Sequence, residues 1–169
     1  QNHPGGVMVY SYFSEVPADS IPVHMVFMEE DGTEIKRFKR GDKKAPKALK
    51  ELHAGLNRFV WDMRYEDAKT FEGMILWWGQ TTGPKAIPGK YKVRMVVGTD
   101  SMEQDFEIMP NPLSSASVAD LKAQFDMQRD ILKQLSETHQ AIIDMRMAKG
   151  QLMDVAKRWK ENENAEDVV

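Results

Sequence analysis

Asp62 and Glu66 stand four residues apart beside Arg58 and Arg64, inside the stretch GLNRFVWDMRYED, residues 55–67. Two carboxylates with arginines to tune them are the raw material of a general acid/base pair. The same residues also alternate, with Phe59, Trp61, Met63 and Tyr65 on one face of a strand and Arg58, Asp62 and Arg64 on the other. The alternation favours the plainer reading, in which the charges decorate a strand whose other face is core. Nothing elsewhere completes a catalytic set: no serine sits in an elbow motif and no glycine-rich loop could cradle phosphate. The Trp61-Asp62 pair matches a propeller-blade signature, but such blades recur about every 40–45 residues and no second copy occurs. We therefore expect a protein that is not an enzyme.

Metal and redox chemistry find little support. The chain has no cysteine, which excludes disulfides, thiol catalysis and thiolate zinc sites. His3, His24, His53 and His139 lie far apart in sequence and share no metal-ligand spacing. No metal or cofactor is expected.

Binding is the more fruitful heading. In LWWGQ, residues 76–80, adjacent tryptophans on a strand would point to opposite faces, so only one of Trp77 and Trp78 could be core. The other could stack on a sugar ring or dock a neighbouring domain, which makes both candidate contact residues. The basic run of Arg40, Lys43, Lys44, Lys47 and Lys50 reads as a solvated loop, and its Arg-Gly-Asp tripeptide is too short to weigh. Met127, Met145, Met147 and Met153 could form an adaptable helix surface, although methionines at helical spacing are more often core.

These residues need elements to position them, and the chain changes character near residue 110. Before it, short β-branched and aromatic runs alternate with turn signals: residues 6–13, 21–28 and 33–38, the second and third joined by a turn over 29–32. The clearest hairpin covers residues 89–110. A turn centred on Thr99–Asp100 would place Tyr91, Val93 and Met95 opposite Ile108, Phe106 and Gln104. It would also place Lys92 and Arg94 opposite Glu107 and Asp105, pairs that contribute roughly 0.2–1 kcal/mol each. About seven short strands with turns every ten residues or so predict a β-sandwich. After the joint PNPLSSAS, Ser117 can cap a helix and Asp120 can complete a capping box. Apolar residues then recur at helical spacing: Leu121, Phe125, Ile131 or Leu132, Leu135, Ile142, Met145, Leu152 and Trp159. One long helix, or a hairpin broken near Gly150, is expected. Its stripe needs the sandwich, its own return or another chain to cover it. Phe125, Leu132, Leu135, Ile142, Met145, Leu152 and Trp159 are the candidate helix-contact residues.

At 169 residues, 41% hydrophobic and 29% charged, the chain fits one folded domain with an appendage rather than a disordered tail. A net charge of −3 argues against nucleic acid, whose phosphates demand excess Lys and Arg. No run approaches the roughly 18 apolar residues of a membrane span. The chain opens at Gln1 with neither Met nor a signal peptide, the pattern of a processed or excised piece.

GLNRFVWDMRYE followed by GMILWWGQTTGPKAIPGKYKVRM, residues 73–95, resembles the domain that follows the β-propeller in bacterial sortilin-like, BNR-repeat proteins, often assigned as glycosyl hydrolases. Residues 2–17, 26–38 and 117–142 resemble, in order, that domain's lead-in, its second hairpin and its trailing helical region. The Trp-Asp strand and Pro88-Gly89-Lys90-Tyr91 are also similar to immunoglobulin-like and fibronectin-III-like modules, including that of the flagellar hook-capping protein. The resemblance implies an immunoglobulin-like β-sandwich over residues 1–110, a linker over 111–117 and a helical segment over 118–163. It implies a non-catalytic accessory module of an exported, multi-domain bacterial protein, outside the cytoplasm. Such a module would brace or orient an upstream propeller of the same polypeptide and offer the helix to a protein partner or a second copy. The alternative is a carbohydrate-binding module using an exposed tryptophan. Tandem Trp77-Trp78 and the lysine-rich loop after Phe38 depart from the family pattern.

Overall fold

A computed structural model describes residues 5–42 and 46–166. The order is β1 (Val7–Phe13), β2 (Val23–Glu29), β3 (Glu34–Lys39), α1 (Lys47–Lys50), β4 (Gly55–Trp61), β5 (Gly89–Val97), β6 (Asp100–Ile108) and α2 (Val118–Glu166). The six strands form two antiparallel sheets, β1-β4 and β3-β2-β5-β6, and α2 follows them.

The core lies where inward faces of both sheets meet. β4 contributes Phe59 and Trp61, β2 contributes Met25 and Phe27, and β5 contributes Tyr91 and Val93. Trp61 is fully buried and stacks on Phe27 with ring centroids 4.4 Å apart. Its indole Nε1 donates to the Arg64 carbonyl at 3.1 Å, so the one polar atom of the ring is satisfied. β2 is buried on both faces, as befits a central strand rich in Val, Met and Phe.

Several expectations need correction. The hairpin turn is Gly98-Thr99, not Thr99-Asp100, so Tyr91, Val93 and Met95 face Phe106, Gln104 and Met102. A two-residue turn matched to strand twist needs a positive φ at its first position, and Gly98 supplies it at 61°. The shift of two residues preserves both faces and the charge pairing: Lys92 faces Asp105 and Arg94 faces Glu103, with an Arg94–Glu103 ion pair of 2.7 Å. Second, the alternation of β4 stops at Trp61, because Met63 adopts a positive φ of 60°. Third, the lysine-rich stretch is not wholly solvated: α1 delivers Leu49, fully buried, into the core. Lys43 and Lys44 lie outside the described residues.

Six strands are present among the described residues, not seven; residues 76–80 form none. α2 begins with the expected reciprocal cap. Asp120 N–H donates to Ser117 Oγ at 3.1 Å and Ser117 N–H donates to Asp120 Oδ2 at 3.0 Å. It then runs unbroken through Gly150, whose cost of about 1 kcal/mol against Ala is too small to end it.

By compactness the chain divides into two units. One unit runs to Glu66 and resumes over Thr82–Arg129, so it includes the first turns of α2. The other comprises Asp67–Thr81 and α2 from Asp130 onward.

Truncating Trp61 to Ala removes the central ring and strands a cavity that Phe27 and Phe59 are too constrained to fill. We expect a loss of about 3–5 kcal/mol in urea-denaturation midpoint analysis.

Candidate functional site

The charged residues of the Gly55–Asp67 stretch are used for architecture. Asp62 accepts from Arg64 N–H at 3.1 Å, closing the turn after β4. Arg64 donates to the Gly83 carbonyl at 2.8 Å, Tyr65 N–H donates to Pro84 and Ala86 N–H donates to Met63. The segment after β4 is thereby strapped to residues 83–86. Asn57, nearly fully buried, is satisfied by the backbone of His53 and Gly55.

Tyr65 links this strap to β2 and to the start of α2. Its hydroxyl donates to Glu29 Oε1 at 2.8 Å, and its ring meets Phe125 edge-on at 4.8 Å. The Arg129 guanidinium lies over both rings, 5.6 Å and 5.8 Å from their centroids, and 3.8 Å from Glu29. Burial, reinforced by the bond to the Glu29 carboxylate and its charge, pushes the Tyr65 hydroxyl far above the ordinary tyrosine range.

In the second unit, residues 67–81 form a loop held against α2. Lys69 N–H donates to Ser136 Oγ at 3.1 Å, and buried His139 bonds through Nδ1 to the Lys69 carbonyl. The His139 ring meets Phe71 edge-on at 5.2 Å. Arg146 lies 4.7 Å over the Phe71 ring and donates to the Glu72 carbonyl at 2.8 Å. None of the four histidine positions had signalled this structural role, because it depends on a contact seventy residues away in sequence.

That anchored loop carries the most exposed aromatic surface of the described chain. Trp77 is 89% and Trp78 94% exposed, beside exposed Ile75 and Leu76. The expected separation of the two rings to opposite faces of a strand does not occur, because residues 76–80 form no strand and both rings are exposed.

The seven candidate helix residues divide into two groups. Phe125 is buried, and Leu132, Leu135 and Ile142 are half-buried, whereas Met145, Leu152 and Trp159 are exposed. The exposed three belong, with Ala148 and Val155, to a stripe at alternating three- and four-residue steps. At ~100° per residue this stripe falls opposite the side of α2 that holds Ser136, His139 and Arg146. Met127, Met145, Met147 and Met153 are likewise exposed rather than core.

Among the described residues no group of three His, Asp or Glu side chains converges on a point that could hold a metal, and no helix is long and apolar enough to cross a membrane. No protein-family model, curated protein or solved structure matches the chain. The resemblance given above thus stands on its residues alone.

The Tyr65 bond has a pH signature. Its folded-state pKa is raised, so its contribution is complete below the unfolded tyrosine value near 10 and is lost as pH rises beyond that. Stability should fall in the alkaline limb, and Tyr65→Phe should flatten that limb in denaturation midpoints between pH 8 and 12. A residual slope is expected from Tyr91, whose burial also raises it.

Proposed function

We propose that this chain is a non-catalytic accessory module, an immunoglobulin-like domain followed by a contact helix, from an exported multi-domain bacterial protein. It braces or orients a neighbouring propeller of the same polypeptide. Two features support the immunoglobulin-like assignment. The strand order β3-β2-β5-β6 facing β1-β4 is compatible with that sandwich. The Tyr91 hydroxyl also reaches back to the Ile87 carbonyl at 2.7 Å, the arrangement of a tyrosine corner at the start of a strand.

The observation that carries the interaction role is the bare stripe Met145-Ala148-Leu152-Val155-Trp159. A helix meets such a stripe with another helix, because the 3.5-residue period matches only a like surface. A second copy of this chain fits in antiparallel register. Met145 would then lie against Val155 and Ala148 against Leu152, one large and one small side chain per layer, with Asp144 flanking Arg158.

Light scattering against concentration should show a reversible dimer that Leu152→Lys with Trp159→Lys abolishes while the thermal transition of the β unit stays unchanged. A strictly monomeric chain whose α2 is fully protected from hydrogen exchange beyond Ile143 would sink the contact role.

The exposure of both Trp77 and Trp78 favours one second reading, a carbohydrate-binding module, since an aromatic face can stack on a sugar ring. An oligosaccharide panel titrated against tryptophan fluorescence should then give a saturable change that Trp77→Ala or Trp78→Ala removes. Silence across the panel leaves the first reading alone.

A further inference from the structure

The two sheets are unequal, and the inequality leaves a groove. Strands sit about 4.8 Å apart, so the two of the β1-β4 sheet span half the width of the four opposite. Trp61 and Phe59 on β4 roof the core over Phe27, Tyr91 and Val93. On the β1 side the cover runs out. Met95 and Val97 on β5 are only half-buried, and Met102, on the same face of β6 as Phe106, is 80% exposed. A groove of about 760 Å³ results, bounded by β1 on one side and the inward faces of β5 and β6 on the other.

β1 is also an unguarded edge. Among the described residues it pairs with β4 alone, so the backbone N–H and C=O groups of its other side have no strand partner. Free edges are commonly blunted by charge, proline or a bulge. β3 carries Glu34, Lys36, Arg37 and Lys39, and β6 carries Glu103, Asp105 and Glu107. β1 reads Val-Met-Val-Tyr-Ser-Tyr-Phe, with none of these protections.

The charges around the groove are of one sign. Its lining includes Glu15, Asp100 and Glu103 and no Lys, Arg or His. Glu103 is already held by Arg94 and Lys92. Glu15 and Asp100 form no ion pair within 4.0 Å with a described residue. Glu15 follows the end of β1, and Asp100 follows the Gly98 turn.

We propose that β1 is an acceptor for strand addition: an extended segment of a partner polypeptide pairs with its free edge. Alternate apolar side chains of that segment fill the groove against Met95 and Met102, and a basic side chain at one of its ends meets Glu15 and Asp100, which both lie at the end of the β unit where β1 finishes and β6 begins. Main-chain hydrogen bonds supply the affinity and the groove supplies the specificity, as in other strand-addition complexes. A helix does not suit the site, because it presents no unpaired main-chain groups to an edge. This surface is separate from the α2 stripe and does not depend on the accessory-module reading.

The probes are two capped peptides, Lys-Val-Thr-Val-Thr-Val-Lys and its counterpart with Glu at both ends, added to the full chain. Amide hydrogen exchange and NMR shifts should report saturable binding of the lysine peptide centred on residues 7–13. The glutamate peptide should bind at least tenfold more weakly, and Asp100→Lys should reverse the preference. Methylating alternate amide nitrogens of the lysine peptide should cut affinity at least tenfold along one edge and leave it nearly unchanged along the other. Met102→Lys, at an exposed position where folding is not at stake, should weaken the lysine peptide. The proposal is overturned if neither peptide perturbs β1, if methylation of either edge has the same effect, or if the end charges make no difference. It is equally overturned if β1 edges of two copies pair with each other and exclude the peptides.

Discussion

Complete burial of Trp61 is the constraint from which the architecture of the β unit follows. An indole can leave water entirely only if its faces are packed and its N–H finds an acceptor. Phe27 provides the packing and the Arg64 carbonyl provides the acceptor. For a carbonyl only three residues onward to reach back to the ring, the chain must turn at once. Met63 therefore takes a positive φ, at a cost of roughly 1–2 kcal/mol for a residue with a side chain. The roughly 3–5 kcal/mol at stake in the buried ring outweighs that cost. The turn then lays residues 63–65 beside residues 83–86. A Cβ at Gly83 would stand 2.2 Å from the Tyr65 carbonyl oxygen, so only glycine permits this approach.

Tyr65 extends the same constraint to the helix. Once the turn has aimed its ring away from β4, its hydroxyl reaches Glu29 at the end of β2 and its edge meets Phe125 on the second turn of α2. Arg129 completes the cluster by covering both rings while staying close to the Glu29 carboxylate. A cation over two aromatic faces and near an anion is held by several weak attractions at once, each about 0.5–1 kcal/mol where solvent has access. This is why the first turns of α2 belong to the β unit while the rest of the helix belongs with residues 67–81.

What the sequence disclosed follows the range of the interactions. Local signals were legible: the alternation of β4 as far as Trp61, the Glu29–Gly32 turn, and the Ser117–Asp120 cap all took the expected form. The hairpin register was legible only to within its parity. Lys92 and Arg94 meet an acidic residue in either of two registers, and the decision lay with the φ of Gly98. Contacts distant in sequence left no trace. Leu49 looked like one apolar residue in a lysine-rich loop, and His139 like an isolated histidine on a helix. The tryptophans of the 76–80 segment misled because aromatic content favours strands only where a partner strand and a face to bury are at hand.

The surfaces left bare differ in period, and period determines what can cover them. The stripe on α2 repeats every three and four residues, so its complement is another helix with the same rotation per residue. The groove beside β1 is lined by side chains two residues apart along strands and edged by unpaired main-chain groups, so its complement is extended chain. One partner segment of uniform secondary structure could not satisfy both. A protein that engaged both surfaces would need a strand and a helix joined by a linker, whereas separate partners would engage them independently. The two surfaces are thus distinguishable by chemistry as well as by place: charge at one end of a strand governs one, and layer-by-layer side-chain volume along a helix governs the other.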